Sequence, residues 1–278
     1  MALFIYAVLY AFFGWILEVC FYIYKTKSFV NRGFLNGPFV PIYGVSLVTL
    51  HIILYTLIGS FVPLTFEIVF VVFLMITFIA TLFELIGGMV LFNAFQARWW
   101  DYSQEKFNYK GYISLRFSMI WGVLGTLFFL GIHVQWIVPA VEGISETTLY
   151  VLSVSLAVVL AIDYAYTIKA LFSFKSMLIE FKKRFRGFEA RAAKLKDHLP
   201  KSVLKTLDSI SENDTFIMVS KKYESLKSKL VDIKDKAITK DYNSIQTISK
   251  NISKTRLFKA FPELKIPFTH KSEENNDE

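Results

Sequence analysis

Five apolar runs, each near the roughly 20 residues that a helix needs to cross a bilayer core, constrain this chain more than any other feature. They cover approximately Leu3–Tyr24, Phe39–Val62, Ile68–Phe92, Phe117–Val138 and Leu149–Phe172. Hydrocarbon offers backbone N–H and C=O groups no partner, so such runs fold as helices. The expected fold is therefore all-α: a polytopic membrane helix bundle of about five transmembrane helices. The first run lacks a basic leader and a small-residue cleavage site, and it carries Glu18, so it reads as a mature helix and not a signal peptide.

The composition changes near Ser173. Mean hydropathy over the chain is +0.44, and nearly all of that apolar excess lies before this point. We therefore expect a transmembrane domain over 1–172 and a basic, helical cytoplasmic tail over 173–278, disordered at its end. The tail holds 23 of the 31 Lys and Arg residues, diluted by 15 acids. No compact phosphate-reading or base-reading motif accompanies them, so the net charge of +8 speaks for anionic membrane lipid and against a nucleic-acid partner. The single cysteine, Cys20, excludes an internal disulfide and reads as a small buried hydrophobe.

Lys and Arg also set the orientation, because cytoplasmic loops retain positive charge during insertion. Lys25, Lys27 and Arg32 follow the first run, while Arg98, Lys106, Lys110 and Arg116 surround the third connection. The connections near Pro63 and from Glu142 to Glu146 carry none. This pattern places the N-terminus outside and the C-terminus in the cytoplasm.

Residues 29–45 align with 107–123 at an offset of 78 without a gap. Phe29, Gly33, Phe39, Ile42, Gly44 and Val45 meet identical residues, and Tyr43 meets Trp121. Two copies of a helix, basic loop and returning helix would form a parallel repeat, with the fifth helix outside it.

The stretches FFGWILE (12–18), NRGFLNGPFVPIYG (31–44), RWWDYS (98–103), FNYKGYISL and SMIWGVLG (within 107–125) resemble the CmpB-like ABC-transporter permease family of small bacterial membrane proteins. The resemblance implies a bacterial plasma-membrane protein of permease type and supplies no site residues. The chain has no GxxxxGK[ST] phosphate loop, so energy for a pump would come from a separate ATPase subunit.

Charges inside membrane spans are costly and are usually paired or functional. Glu18, Glu84 and Asp163 lie about 9, 12 and 14 Å from the inner ends of their helices at about 1.5 Å per residue. Ala7, Ala11, Gly14 and Glu18 share one helical face, and Thr77, Ala80, Glu84 and Gly87 nearly do so. Small residues let helices approach, so Glu18 and Glu84 should face the bundle interior, each with a polar or basic neighbour. The candidate substrate-binding set is Glu18, Glu84 and Asp163 with Arg32, Arg98, Asp101, Lys110 and Arg116 around them. One reading is a cation-accepting or proton-accepting vestibule; in the other, the bases pair with the acids and fix loop geometry.

The loops NRGFLNGPFVP and RWWDYS could fold back as re-entrant pieces, although Trp99, Trp100 and Tyr102 also suit an aromatic belt at the headgroups. His51 and His133 read as satisfied core histidines. HExxH, GxSxG and CxxC are missing from the sequence, so neither an enzyme nor a cofactor is expected.

In the tail, Phe174, Leu178, Phe181, Phe185, Phe188, Ala192, Leu195 and Leu199 form a heptad stripe ended by Pro200. Phe216, Val219, Tyr223, Leu226, Leu230, Ile233 and Ala237 form a second. The stripes predict a helical hairpin or an oligomerising stalk, hence a homo-oligomer or a partner engaged through the tail. Two function classes follow: a permease-like subunit for a small solute or ion, and a non-transporting membrane scaffold or sensor acting through its tail.

Overall fold

The computed structural model describes residues 1–58, 65–194, 201–210, 214–226, 236–261 and 264–265. The expectations that rest on Pro63, Leu195, Leu199, Pro200, Leu230, Ile233 and the C-terminal acidic stretch fall outside them. The described residues are almost wholly helical: α1 (Ala2–Thr26), α2 (Pro41–Ile58), α3 (Phe66–Phe95), α4 (Leu115–Phe128), a π-helical segment (Phe129–Ile137), α5 (Val138–Glu142), α6 (Glu146–Lys194), α7 (Lys201–Asp208), α8 (Phe216–Glu224), α9 (Lys236–Lys254) and α10 (Arg256–Ala260). A small antiparallel hairpin, β1 (Asn108–Tyr109) with β2 (Ile113–Ser114), precedes α4.

Among the described residues, four helical stretches are long and apolar enough to cross a membrane: Ala2–Thr26, Phe66–Phe95, Leu115–Glu142 and Glu146–Lys194. The expected span Phe39–Val62 corresponds to α2, whose described apolar stretch is shorter, Pro41–Thr56. Residues 59–62 of that expectation lie outside the described residues, and the loop that precedes α2 runs up beside α1. Lys27 adopts φ 57° and ends α1, and the chain then stays irregular until the Val40 N–H donates to the Ala11 carbonyl at 2.9 Å. Ala11 lies 15 residues from the end of α1, about 22 Å along its axis.

The chain divides into two compact units. The first comprises Met1–Val90 and Asp101–Ile168, the second Leu91–Trp100 and Lys169–Glu278. In the first unit, α1 packs on α2 and α3 on α4 through small residues. A Cβ added at Gly44 would lie 2.3 Å from the Ala7 carbonyl oxygen and 3.4 Å from Ala11. One added at Gly122 would lie 2.0 Å from Thr77 Oγ1 and 2.8 Å from the Phe73 ring. At both places the helices approach so closely that only glycine fits. Cys20 departs from expectation: it is exposed on α1, because two residues beyond Glu18 is about 200° around the helix.

The second unit has its own apolar core. Phe174, Leu178, Phe181, Phe185, Phe188 and Ala192 of the first stripe are each no more than 1% exposed, and Phe216, Val219, Tyr223 and Leu226 of the second no more than 2%. The stripes meet through Phe181–Phe216, Phe185–Tyr223 and Phe188–Tyr223 ring contacts, with centroids 5.0, 5.9 and 5.2 Å apart. Tyr242, Ile245 and Ile252 of α9 and Leu257 of α10 join this core. Burial lifts the Tyr223 phenol well above its ordinary pKa, with Tyr242 and Asp241 adding to the effect. The described members of both stripes are thus covered within one chain.

Trp99 belongs to this second core and not to a headgroup belt. It is 6% exposed and packs against Phe95, Phe174 and Phe261 with centroids 5.6, 6.3 and 4.7 Å away. The backbone of its neighbour Arg98 exchanges two hydrogen bonds with Lys265, at 2.8 and 3.0 Å.

Candidate membrane-embedded carboxylate site

Glu18 sits on α1 one turn beyond Gly14, whose missing side chain leaves room for the Tyr43 ring: a Cβ there would lie 2.4 Å from Tyr43 Cγ. The glycine thus brings Tyr43 against α1, and its hydroxyl donates to Glu18 Oε1 at 2.9 Å. The other carboxylate oxygen receives Arg32 Nη2 at 3.5 Å. Arg32 comes from the loop that climbs beside α1, and Asn31 shapes that loop. Asn31 Oδ1 accepts from Trp15 Nε1 at 2.7 Å and from the Gly33 N–H at 2.9 Å, while its amide donates to the Asn36 carbonyl at 2.9 Å.

Glu84 occupies the corresponding place on α3, where the Tyr102 hydroxyl donates to its Oε1 at 2.8 Å. Two contacts fix Tyr102. Its ring stacks on Phe117 with centroids 4.5 Å apart, and its N–H donates to the Gly111 carbonyl at 2.9 Å. Gly111 lies in the hairpin turn at φ 71°, a conformation that favours glycine. Burial, with the nearby carboxylates, holds the Tyr102 phenol well above its ordinary pKa. It therefore remains a hydrogen-bond donor at any physiological pH.

The two carboxylates form one cluster. Glu18 and Glu84 lie within Coulombic reach of each other, and Tyr43 within reach of both and of Tyr102. The Tyr43 and Trp121 rings meet edge to face between them, 6.0 Å apart. Among the described residues, the cluster sets two carboxylates against one guanidinium. It can accept positive charge, and it offers phenol hydroxyls that can reorient toward a ligand.

The remaining sequence-selected residues have other surroundings. Both oxygens of Asp163 are occupied by the first loop: Oδ1 accepts from the Asn36 N–H and Oδ2 from the Gly37 N–H, each at 2.8 Å. Thr167 Oγ1 donates to Oδ1 as well, at 3.2 Å. Asp163 thus satisfies irregular backbone that climbs beside a membrane helix, as an apolar surrounding requires. Arg116 pairs with Glu105 at 3.3 Å on the surface. Lys110 lies over the Tyr109 ring at 5.8 Å, and Asp101 accepts from the N–H and hydroxyl of Ser103, each at 2.9 Å. Arg98 lies over the Phe92 ring at 5.5 Å, within the second unit.

Tyr43, Tyr102 and Trp121 were not among the residues selected from sequence. The alignment of Tyr43 with Trp121 was the available signal for two of them. Tyr102 stands out in the sequence only as part of the RWWDYS loop, because its distance from Glu84 depends on the path of that loop.

No curated protein and no solved structure matches the chain. A family model does, over residues 5–168, and its description reads "Putative ABC-transporter type IV". The match takes in more than half of the 278 residues and every member of the carboxylate cluster. The chain, a membrane protein of transporter type, belongs to that family.

Proposed function

We propose that this protein is a permease-like membrane subunit that moves a small cationic or proton-coupled solute, and that Glu18 and Glu84 form its cation-accepting site. The observation that carries the reading is the cluster itself. Two carboxylates on separate membrane helices share an interior site, and phenols supply most of their hydrogen bonds. An unpaired carboxylate costs about 2.5–3.5 kcal/mol at the centre of a membrane helix, so two carboxylates with one guanidinium there favour a site that a proton or a cation completes.

The arrangement also supports the parallel repeat. Gly44 fits against Ala7 and Ala11 as Gly122 fits against Phe73 and Thr77, and Glu18 corresponds to Glu84. In this reading α2 also crosses the membrane, which makes five spans, the N-terminus is outside, and the tail lies in the cytoplasm of a bacterial cell. A separate ATPase subunit supplies the energy and contacts the cytoplasmic face.

Purification of the full chain from its native membrane tests the subunit assignment. A nucleotide-hydrolysing protein should co-purify in near-stoichiometric amount. Recovery with a signalling protein instead, and no ATPase, would favour the scaffold or sensor class.

A further inference from the structure

A second polar group lies inside the first unit, away from the carboxylates. Tyr10 of α1 and His133 of the π-helical segment are each 1% exposed. The Tyr10 hydroxyl is hydrogen-bonded to His133 Nδ1, and His133 Nε2 lies 2.9 Å from Nδ1 of His51 on α2. Both ring nitrogens of a buried histidine are thus engaged, one by a phenol and one by another imidazole. Three helical elements bring one such side chain each to a continuous hydrogen-bonded row.

The local backbone is shaped around this row. Phe129–Ile137 is π-helical, and the Val138 N–H bonds the His133 carbonyl. Pro139, just beyond, has no N–H to continue an α-helical ladder. The wider turns carry His133 to a place where its ring contacts Tyr6, Tyr10, His51 and Phe129, with centroids 5.6, 5.6, 5.0 and 4.6 Å away.

We propose that His51 and His133, capped by the Tyr10 hydroxyl, form a proton-accepting pair that holds a single excess proton between its two imidazoles. Each link joins one proton to one lone pair. In one arrangement His51 donates from Nδ1 to His133 Nε2, and His133 donates from Nδ1 to the Tyr10 oxygen. His51 Nε2 then has a free lone pair. A proton taken up there makes His51 an imidazolium, and its Nδ1 proton passes to His133 Nε2. His133 is then the imidazolium, its Nδ1 proton donated to the Tyr10 oxygen, and the shift stops there. One proton is taken up and kept, no heavy-atom bond changes, and its release to His51 Nε2 reverses the same steps. A second excess proton would set N–H against N–H between the rings, so the pair takes one and titrates as a unit.

The groups around the pair include few charges. Tyr6 of α1 lies 5.1 Å from the His51 ring, and Tyr55 of α2 stacks on it at 5.6 Å. Glu142, at the end of α5, is the carboxylate within electrostatic reach of His51. The neighbouring faces of α3 and α6 bring apolar Val72, Ile76, Leu149 and Leu156 to the adjoining cores. Tyr10 is eight residues from Glu18 on α1, about 12 Å along the helix. The proposal stands on this geometry and does not depend on the carboxylate site.

The test is a nitrogen NMR titration of the full chain, 15N-labelled at histidine, in lipid nanodiscs from about pH 8 to about pH 4, a window that spans the ordinary imidazole range. His51→Gln and His133→Gln assign the signals. One proton taken up jointly by the two rings, with His51 Nε2 changing from a bare lone pair to N–H while His133 Nδ1 keeps its proton, is the expected result. Two independent uptakes, or none, would overturn the proposal. Tyr10→Phe removes the acceptor of the His133 Nδ1 proton, so the pair should bind its proton about tenfold more weakly, the effect of losing one hydrogen bond to a charged group. Unchanged proton affinity in a folded Tyr10→Phe protein would overturn the proposal. If that variant fails to fold, the proton count in the unaltered protein still decides.

Discussion

Phe185→Asp is expected to unfold the second unit, at a cost above about 4 kcal/mol, because it places an unpaired carboxylate in a dry core. Phe185 is fully buried and stacks on Phe181 and Tyr223 with centroids 6.1 and 5.9 Å away. Limited proteolysis of the full chain in detergent provides the check. New cleavage should appear within residues 169–260 while 1–90 stay protected. Ile179→Asp is the control on the same helix: Ile179 is 55% exposed, and its replacement should change stability by no more than about 0.5 kcal/mol. Equal protection in Phe185→Asp and Ile179→Asp would show that the stripe does not form the core described.

Gly122→Leu should be the most damaging small-to-large change in the first unit. Its Cβ alone would fall 2.0 Å from Thr77 Oγ1, so α3 and α4 must separate before the rest of the side chain is placed. Overpacking usually costs about 1–3 kcal/mol, and more where backbones are in close contact. Gly131→Ala offers the contrast. Nothing lies within 4 Å of a Cβ added at Gly131, so the change should be neutral or stabilise by a few tenths of a kcal/mol to about 1 kcal/mol. Thermal unfolding in detergent should rank the two variants in that order. The reverse order would refute the glycine-mediated contact.

Much of the architecture was legible because its causes are local. Length and apolarity mark out the membrane helices, and heptad spacing picks out Phe174 to Ala192 and Phe216 to Leu226 as buried stripes. The spacing could not tell a stalk from a core within one chain, since both bury the same face. Trp99 shows a second limit. A tryptophan near a helix end suits a lipid headgroup or a protein core equally well, and only its contacts with Phe174 and Phe261, distant in sequence, decide between them. Small residues around Glu18 and Glu84 correctly indicated interior faces with polar neighbours. For Glu84 that neighbour proved to be a phenol and not a base, because Arg116 pairs with Glu105 and Tyr102 is carried in by its loop. Asp163 illustrates the same point: its place in an apolar run is legible in the sequence, but the loop backbone that occupies both its oxygens is not.

The central claim is that Glu18 and Glu84 together accept a cation, and the most direct measurement is thermal unfolding of the purified full chain across a series of monovalent and divalent cation concentrations. The unaltered protein should be stabilised in a saturable way by at least one cation, by about 2.7 kcal/mol at 100 times its Kd. Glu18→Gln and Glu84→Gln preserve side-chain shape and remove charge. Each should fold and lose most of that stabilisation. Variants that unfold at lower temperature whether or not cations are present, while the unaltered protein shows no saturable stabilisation by any of them, would contradict the claim and make the pair a structural clasp for Arg32 and the two tyrosines.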